Sequence, residues 1–189
     1  MQNTFPESDL HFTFPDDWVV RKFDETIAYQ SLSGHGLKGV DFIALSPDGK
    51  LWLMEVKNYR PRVKGDKEYR ANRQPPAELS QQIAGKFRDT RRLLRIVDRS
   101  LRKRWWFGLW EKWRRLFPDN NSNYWFWTEA AWRAQQTDGI VLVLWMETPE
   151  IKTDYDEAVA RHLAAACREE VTVRVVEGSR PHDLPIEVK

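Results

Sequence analysis

The sequence predicts an α/β sandwich with a central β-sheet covered on both faces, and three stretches carry that expectation. Gly39 to Tyr59 (GVDFIALSPDGKLWLMEVKNY) holds two β-rich runs that are apolar on both faces, as strands buried on both sides must be. Gly139 to Met146 (GIVLVLWM) is a continuous apolar run of strand length. Stretches of helical periodicity lie between and after these runs. With 189 residues, 41% of them apolar, the chain can bury one sizeable core, which excludes disorder throughout and a bare coiled coil.

Met1 to Phe14 is acidic-polar and lacks the basic start and apolar centre of a secretory leader. With no apolar run long enough to span a bilayer, the expectation is a cytoplasmic protein without a transmembrane segment. Pro15 to Ser33 mixes Trp18, Val19, Val20, Phe23, Ile27 and Tyr29 with charges. It fits a short helix followed by a strand, although its periodicity decides little. Ser33-Gly34-His35-Gly36 reads as a loop.

The hairpin comes next, with a stated register. Pro47 suits the second position of a type I turn, Asp48 the third, and Gly49 the left-handed residue that completes a three-residue loop. Ser46 then faces Lys50, and Asp41 lies across from Glu55. Because side chains alternate along a strand, Lys57 joins Asp41 and Glu55 on the face of Ile43, Leu45, Leu51 and Leu53. Val40, Phe42, Ala44, Trp52, Met54 and Val56 take the other face.

Arg60 to Gln74 is polar and irregular and reads as a long loop. Pro75 and Pro76 open a helix, where proline is tolerated in the first turn, with Leu79, Ile83, Phe87, Leu94 and Val97 as its apolar stripe. A second helical stretch, Leu101 to Phe117, gathers Trp106, Trp110, Trp113 and Phe117 on one side. Pro118 to Asn123 breaks it, and Tyr124 to Trp132 adds further aromatics. The apolar run from Gly139 is a buried strand, Asp154 to Glu170 a helix, and Val171 to Val176 a closing strand. The whole is one domain, 1–189, with a Trp/Arg-rich helical insertion at about 101–137.

The net charge of +2 conceals an asymmetry. From Lys57 to Arg115 there are 19 Lys+Arg against 6 Asp+Glu, a surplus of +13, which leaves −11 for the remainder. Such polarisation within one domain points to a face that meets a polyanion. The one cysteine, Cys167, forms no intramolecular disulfide and gives no sign of an oxidising compartment.

Asp41, Glu55 and Lys57 form the chemical constellation. Two carboxylates on adjacent strands offer hard oxygen ligands to Mg²⁺, which polarises a phosphate and activates water. A lysine on the same face positions the attacking water or neutralises developing charge. Ionised groups at the end of apolar strands are costly unless paired or bound to metal, so the trio needs a reason.

Gly39-Val40-Asp41-Phe42, the hairpin, and Glu55-Val56-Lys57 together resemble the PD-(D/E)xK nuclease superfamily. The resemblance implies a restriction-endonuclease-like three-layer sandwich, its central mixed β-sheet flanked by helices. It makes Asp41 and Glu55 metal-binding acids, the Val56 carbonyl a backbone ligand and Lys57 the catalytic lysine. It also calls for an upstream glutamate on the first helix, for which Glu25 is the candidate. Val40 stands where the family has a nominal proline. Gln82 and Lys86, one turn apart, resemble the polar helix residues that reach the site or the phosphate backbone, and Arg60 and Arg92 extend that nucleic-acid-binding set.

The expected function is a Mg²⁺-dependent nuclease, Mn²⁺ being the other candidate cation, that hydrolyses phosphodiester bonds in nucleic acid, DNA ahead of RNA. The alternative is a non-catalytic nucleic-acid-binding or protein-interaction module of the same fold. Blander readings stand beside these: a Glu55 to Lys57 surface pair, a solvated basic helix, and aromatic packing or homo-oligomer formation through the Trp-rich insertion, which holds seven of the ten Trp. A basic aromatic helix lying on anionic membrane is a third expectation.

Overall fold

The computed structural model describes residues 3–33, 36–64, 67–69, 72–103, 108–109, 112, 122–136, 139–148, 153–167 and 171–189. In chain order its elements are β1 (Thr4–Glu7), β2 (Leu10–Thr13), β3 (Val19–Lys22), α1 (Ile27–Ser33), β4 (Phe42–Leu45), β5 (Leu51–Asn58), β6 (Arg62–Lys64) and β7 (Lys67–Tyr69), followed by α2 (Pro76–Arg102), α3 (Asn123–Arg133), β8 (Ile140–Glu147), α4 (Thr153–Cys167), β9 (Thr172–Glu177) and β10 (Glu187–Val188). Helix α2 begins on the two prolines as expected, with Glu78 in its first turn and Arg99 and Arg102 in its last, charges that complement the helix dipole.

Strands β3 to β5, β8 and β9 build a five-stranded mixed sheet in the order β3-β4-β5-β8-β9. The β4 to β5 pairing is Phe42 with Met54, Ile43 with Leu53, Ala44 with Trp52 and Leu45 with Leu51, the register that the turn chemistry predicts. Gly49 closes the turn at φ 84°, its amide donating to the Ser46 carbonyl at 3.2 Å. Strand β8 runs parallel to β5 along its full length, Glu55 beside Leu144 and Asn58 beside Glu147.

Each of the four helices given above contributes to one core, on the face of Ile43, Leu45, Leu51 and Leu53. The opposite face, with Phe42, Ala44, Met54, Val56, Val143 and Trp145, is covered by Leu10, Phe12, Phe14, Leu184 and Ile186. Those residues come from or adjoin a three-stranded sheet, β1-β2-β10. The layers are therefore helix, sheet and small sheet, whereas helices on both faces were expected. The period-two pattern of Leu10, Phe12 and Phe14 makes the difference, because it fits a strand that buries one side.

Three local expectations change. Strand β3 precedes helix α1, the reverse of the expected order. Two short strands, β6 and β7, lie within the stretch read as a loop. Residues 123–133, assigned to the insertion, form α3 and enter the main core through Phe126, Trp127, Ala130 and Ala131. Ser122 caps that helix by accepting the Trp125 amide at 3.2 Å. Trp105, Trp106, Trp110, Trp113 and Phe117 lie outside the described residues. Among the described residues no helix is long and apolar enough to cross a membrane.

Candidate functional site

The alternation of the hairpin fails at one residue, and that residue is Asp41. Its amide donates to the Met54 carbonyl at 3.0 Å, although Met54 is the partner of Phe42. The next backbone donor across the ladder, the Val56 amide, goes to Asp41 Oδ2 at 2.7 Å. A carboxylate thus takes the place of a backbone carbonyl, and the chain leaves the sheet with a bulge-like step. Val40 consequently packs in the helical core, not on the face of Phe42 where strict alternation puts it. Its amide is satisfied from α2 by Thr90 Oγ1 at 3.1 Å, and the Lys38 amide donates to Asp89 at 3.1 Å.

These bonds fix α2 over the ends of β4 and β5. One turn before Thr90, Lys86 reaches down to Glu55, Nζ to Oε1 2.7 Å. Lys57 Nζ meets the same oxygen at 2.9 Å. The Glu55 side chain is 1% exposed, and its second oxygen, Oε2, is buried with no hydrogen-bond partner. Burial first, then the Glu55 charge, pushes the Asp41 carboxyl up to about 7, while the Val56 amide and the Lys86 ammonium pull it the other way.

The structure therefore brings together Asp41, Glu55, Lys57, Val56 and Lys86. Glu25 lies in a turn before α1, pairs with Lys22 at 3.1 Å and is 66% exposed. It lines a groove along β3 with Trp18, Arg21 and Trp127, and Lys22 joins it to Glu7. Gln82 and Arg92 are exposed. Helical geometry puts Arg92 about 120° around α2 from Lys86, so the two do not share a face. Arg60 is ion-paired with Glu147 at the end of β8.

A residue that the sequence reading missed is Glu7. It pairs with Lys22 at 3.2 Å and adds to the negative field that raises Asp41. Its hairpin is tied to β5 by Asn58 Nδ2, which donates to the Ser8 carbonyl at 2.7 Å. The signal was the alternation of Leu10, Phe12 and Phe14 after the Glu7-Ser8-Asp9 turn.

Among the described residues, no group of three or more His, Cys, Asp or Glu side chains is arranged to hold a metal ion. The donor set is a pair. Asp41 and Glu55 supply hard oxygens, and the unpartnered Glu55 Oε2 is an acceptor in need of a donor or a cation. This set fits Mg²⁺, a hard cation bound through one or two carboxylates while keeping several waters. Comparison with known proteins yields no match: no family model, curated protein or solved structure is similar to the chain.

Proposed function

We propose that the protein is a metal-dependent nuclease that hydrolyses phosphodiester bonds, DNA being the preferred substrate, within a restriction-endonuclease-like domain. The observation that carries this reading is the convergence of two carboxylates and two lysines, Asp41, Glu55, Lys57 and Lys86, at the end of otherwise apolar central strands. Burying Glu55 beside a second acid costs stability unless cations compensate it, and an arrangement with that cost is expected where chemistry requires it.

In this reading Asp41 and Glu55 hold Mg²⁺ or Mn²⁺, with the Val56 carbonyl as a backbone ligand. The bound cation supplies Lewis acidity toward the phosphate and a water of lowered pKa. Lys57, the more exposed of the two lysines at 26% against 18%, orients the attacking water or stabilises charge that develops on the phosphoryl oxygens. The basic surface of α2 supplies sequence-independent attraction for the phosphate backbone.

The test is cleavage of plasmid and linear DNA, with RNA in parallel, by the purified chain with Mg²⁺ or Mn²⁺. Folded Asp41→Ala and Lys57→Ala variants are expected to lose on the order of a hundredfold or more in rate. Wild-type activity in either variant overturns the assignment.

A second reading is a nucleic-acid-binding or protein-interaction module without catalysis. Its support is that Lys57 and Lys86 both close on one Glu55 oxygen, as in a structural ion network. Salt-sensitive binding that is indifferent to metal and to Asp41→Ala selects it.

A further inference from the structure

The carboxylate pair already has a cation against it. Lys86 is the basic residue that acts most strongly on Asp41, and its Nζ is 2.7 Å from Glu55 Oε1. It therefore compensates both acids at once. Lys57 touches only the Glu55 end, at 2.9 Å. An ammonium and a divalent cation are drawn to the same negative potential, and each weakens the other's hold on it.

We propose that Lys86 is a tethered counter-ion of the Asp41 and Glu55 pair, which the divalent cation must displace. The inference rests on the nuclease reading for the presence of that cation. The displacement involves the side chain alone. Helix α2 is held by Thr90 on Val40, Asp89 on Lys38 and Ser80 on the Val159 carbonyl, while lysine is a compact charge on a flexible four-carbon stem. The unpartnered Glu55 Oε2 offers the entering cation an oxygen that neither lysine occupies. Released from Glu55, the Lys86 ammonium is free to pair with a phosphate of the substrate. Cation and nucleic acid then assist each other's binding, by the same factor in both directions. Lys86 is in this sense a positioning residue that keeps the empty pair neutralised and makes its loading depend on substrate.

The experiment is calorimetric titration of the full chain with Mn²⁺ alone, without nucleic acid. Four variants are compared with wild type, each checked for folding by circular dichroism: Lys86→Met, Lys86→Gln, Lys57→Met and Asp41→Ala. Removing the competing charge is expected to tighten Mn²⁺ binding by about tenfold or more in Lys86→Met. Lys86→Gln follows in the same direction and serves alone if the methionine variant does not fold. Lys57→Met shifts less, and Asp41→Ala abolishes binding. A purely structural role for Lys86 predicts weaker binding on its removal, never tighter. Asp41-dependent binding in wild type that is unchanged or weakened in both Lys86 variants overturns the counter-ion assignment and leaves the metal site standing. A shift in Lys57→Met equal to that in the Lys86 variants overturns the choice of Lys86. No Asp41-dependent Mn²⁺ binding in any of the proteins removes the metal reading and this proposal together.

Discussion

Asp41 meets two opposed demands: its position needs an acceptor for the Val56 amide, and its surroundings disfavour a charge. Its carboxyl, pushed up to about 7, binds a proton more tightly in the folded protein than in the unfolded chain, where it titrates near its ordinary value. This group's contribution to stability is therefore full below about pH 4 and is lost as pH rises from about 4 through 7. A shift of this size corresponds to roughly 4 kcal/mol at most. Asp41→Asn keeps an oxygen for the Val56 amide and removes the charge. At pH 8 its unfolding free energy in urea is expected to exceed that of wild type by about 2–4 kcal/mol, with the gap closing toward pH 4. Parallel pH profiles for the two proteins exclude Asp41 as the source. Gly178 shows a different constraint, since a Cβ there falls 1.8 Å from Glu147 Oε1. Gly178→Ala is expected to lose about 1–3 kcal/mol and to displace Glu147 from Trp145 Nε1 and Arg60. A thermal midpoint equal to that of wild type contradicts this.

At the scale of elements, the β4 and β5 hairpin is clamped from outside its own sequence. Arg133, 8% exposed at the end of α3, donates through Nη1 to the carbonyls of Ser46 and Lys50 at 2.7 and 2.9 Å, and through Nε to Glu129 at 2.9 Å. Truncation removes a charged donor from two carbonyls, leaving Ser46 with the Gly49 amide and Lys50 with the Ser46 amide. Arg133→Ala is thus expected to lower the urea midpoint by an amount equivalent to about 2–4 kcal/mol. A loss below about 0.5 kcal/mol assigns the clamp a surface role only. The β1 and β2 turn is less favourable in itself, because Ser8 and Asp9 hold φ of 53° and 65° without being glycine. Asp9→Gly relieves that strain and is expected to raise stability by about 0.5–1 kcal/mol. A lower melting temperature in this variant shows instead that the Asp9 side chain supports the turn.

At the scale of the molecule, the sheet face opposite the helices is covered by segments far apart in sequence. Phe12 is fully buried and Ile186 is 2% exposed in the same cluster, and β10 pairs with β2. Ile186→Ala is expected to destabilise the whole domain by about 2–4 kcal/mol in one cooperative transition. A separate early transition shows that the small sheet melts independently. Charge is also arranged at this scale. Of the described basic residues of the +13 segment, Lys57 and Lys86 face the carboxylate pair, whereas Arg88, Arg92, Arg95 and Arg99 are exposed and lie together on the outer side of α2, as their spacing of three and four residues dictates. The Trp excess divides likewise, with Trp145 and Trp127 in the core at 1% and 7% exposure and Trp132 exposed at 54%.

The sequence by itself determined the hairpin, its register, the buried strand and the start of α2. Each of these follows from local turn chemistry, from period-two or period-3.6 burial, or from a proline in a first turn. By the same logic it placed Glu55 and Lys57 on one face and brought Asp41 to the strand end beside them, but the register holds only as far as Phe42 with Met54, and the step at Asp41 lies beyond it. Only the tertiary structure decided that Val40 turns into the helical core, that Glu7 adds its charge near Asp41, and that a small sheet replaces one helical layer. These outcomes depend on contacts between residues distant in sequence, Thr90 with Val40, Asn58 with Ser8 and Lys86 with Glu55, whose energies no local pattern encodes.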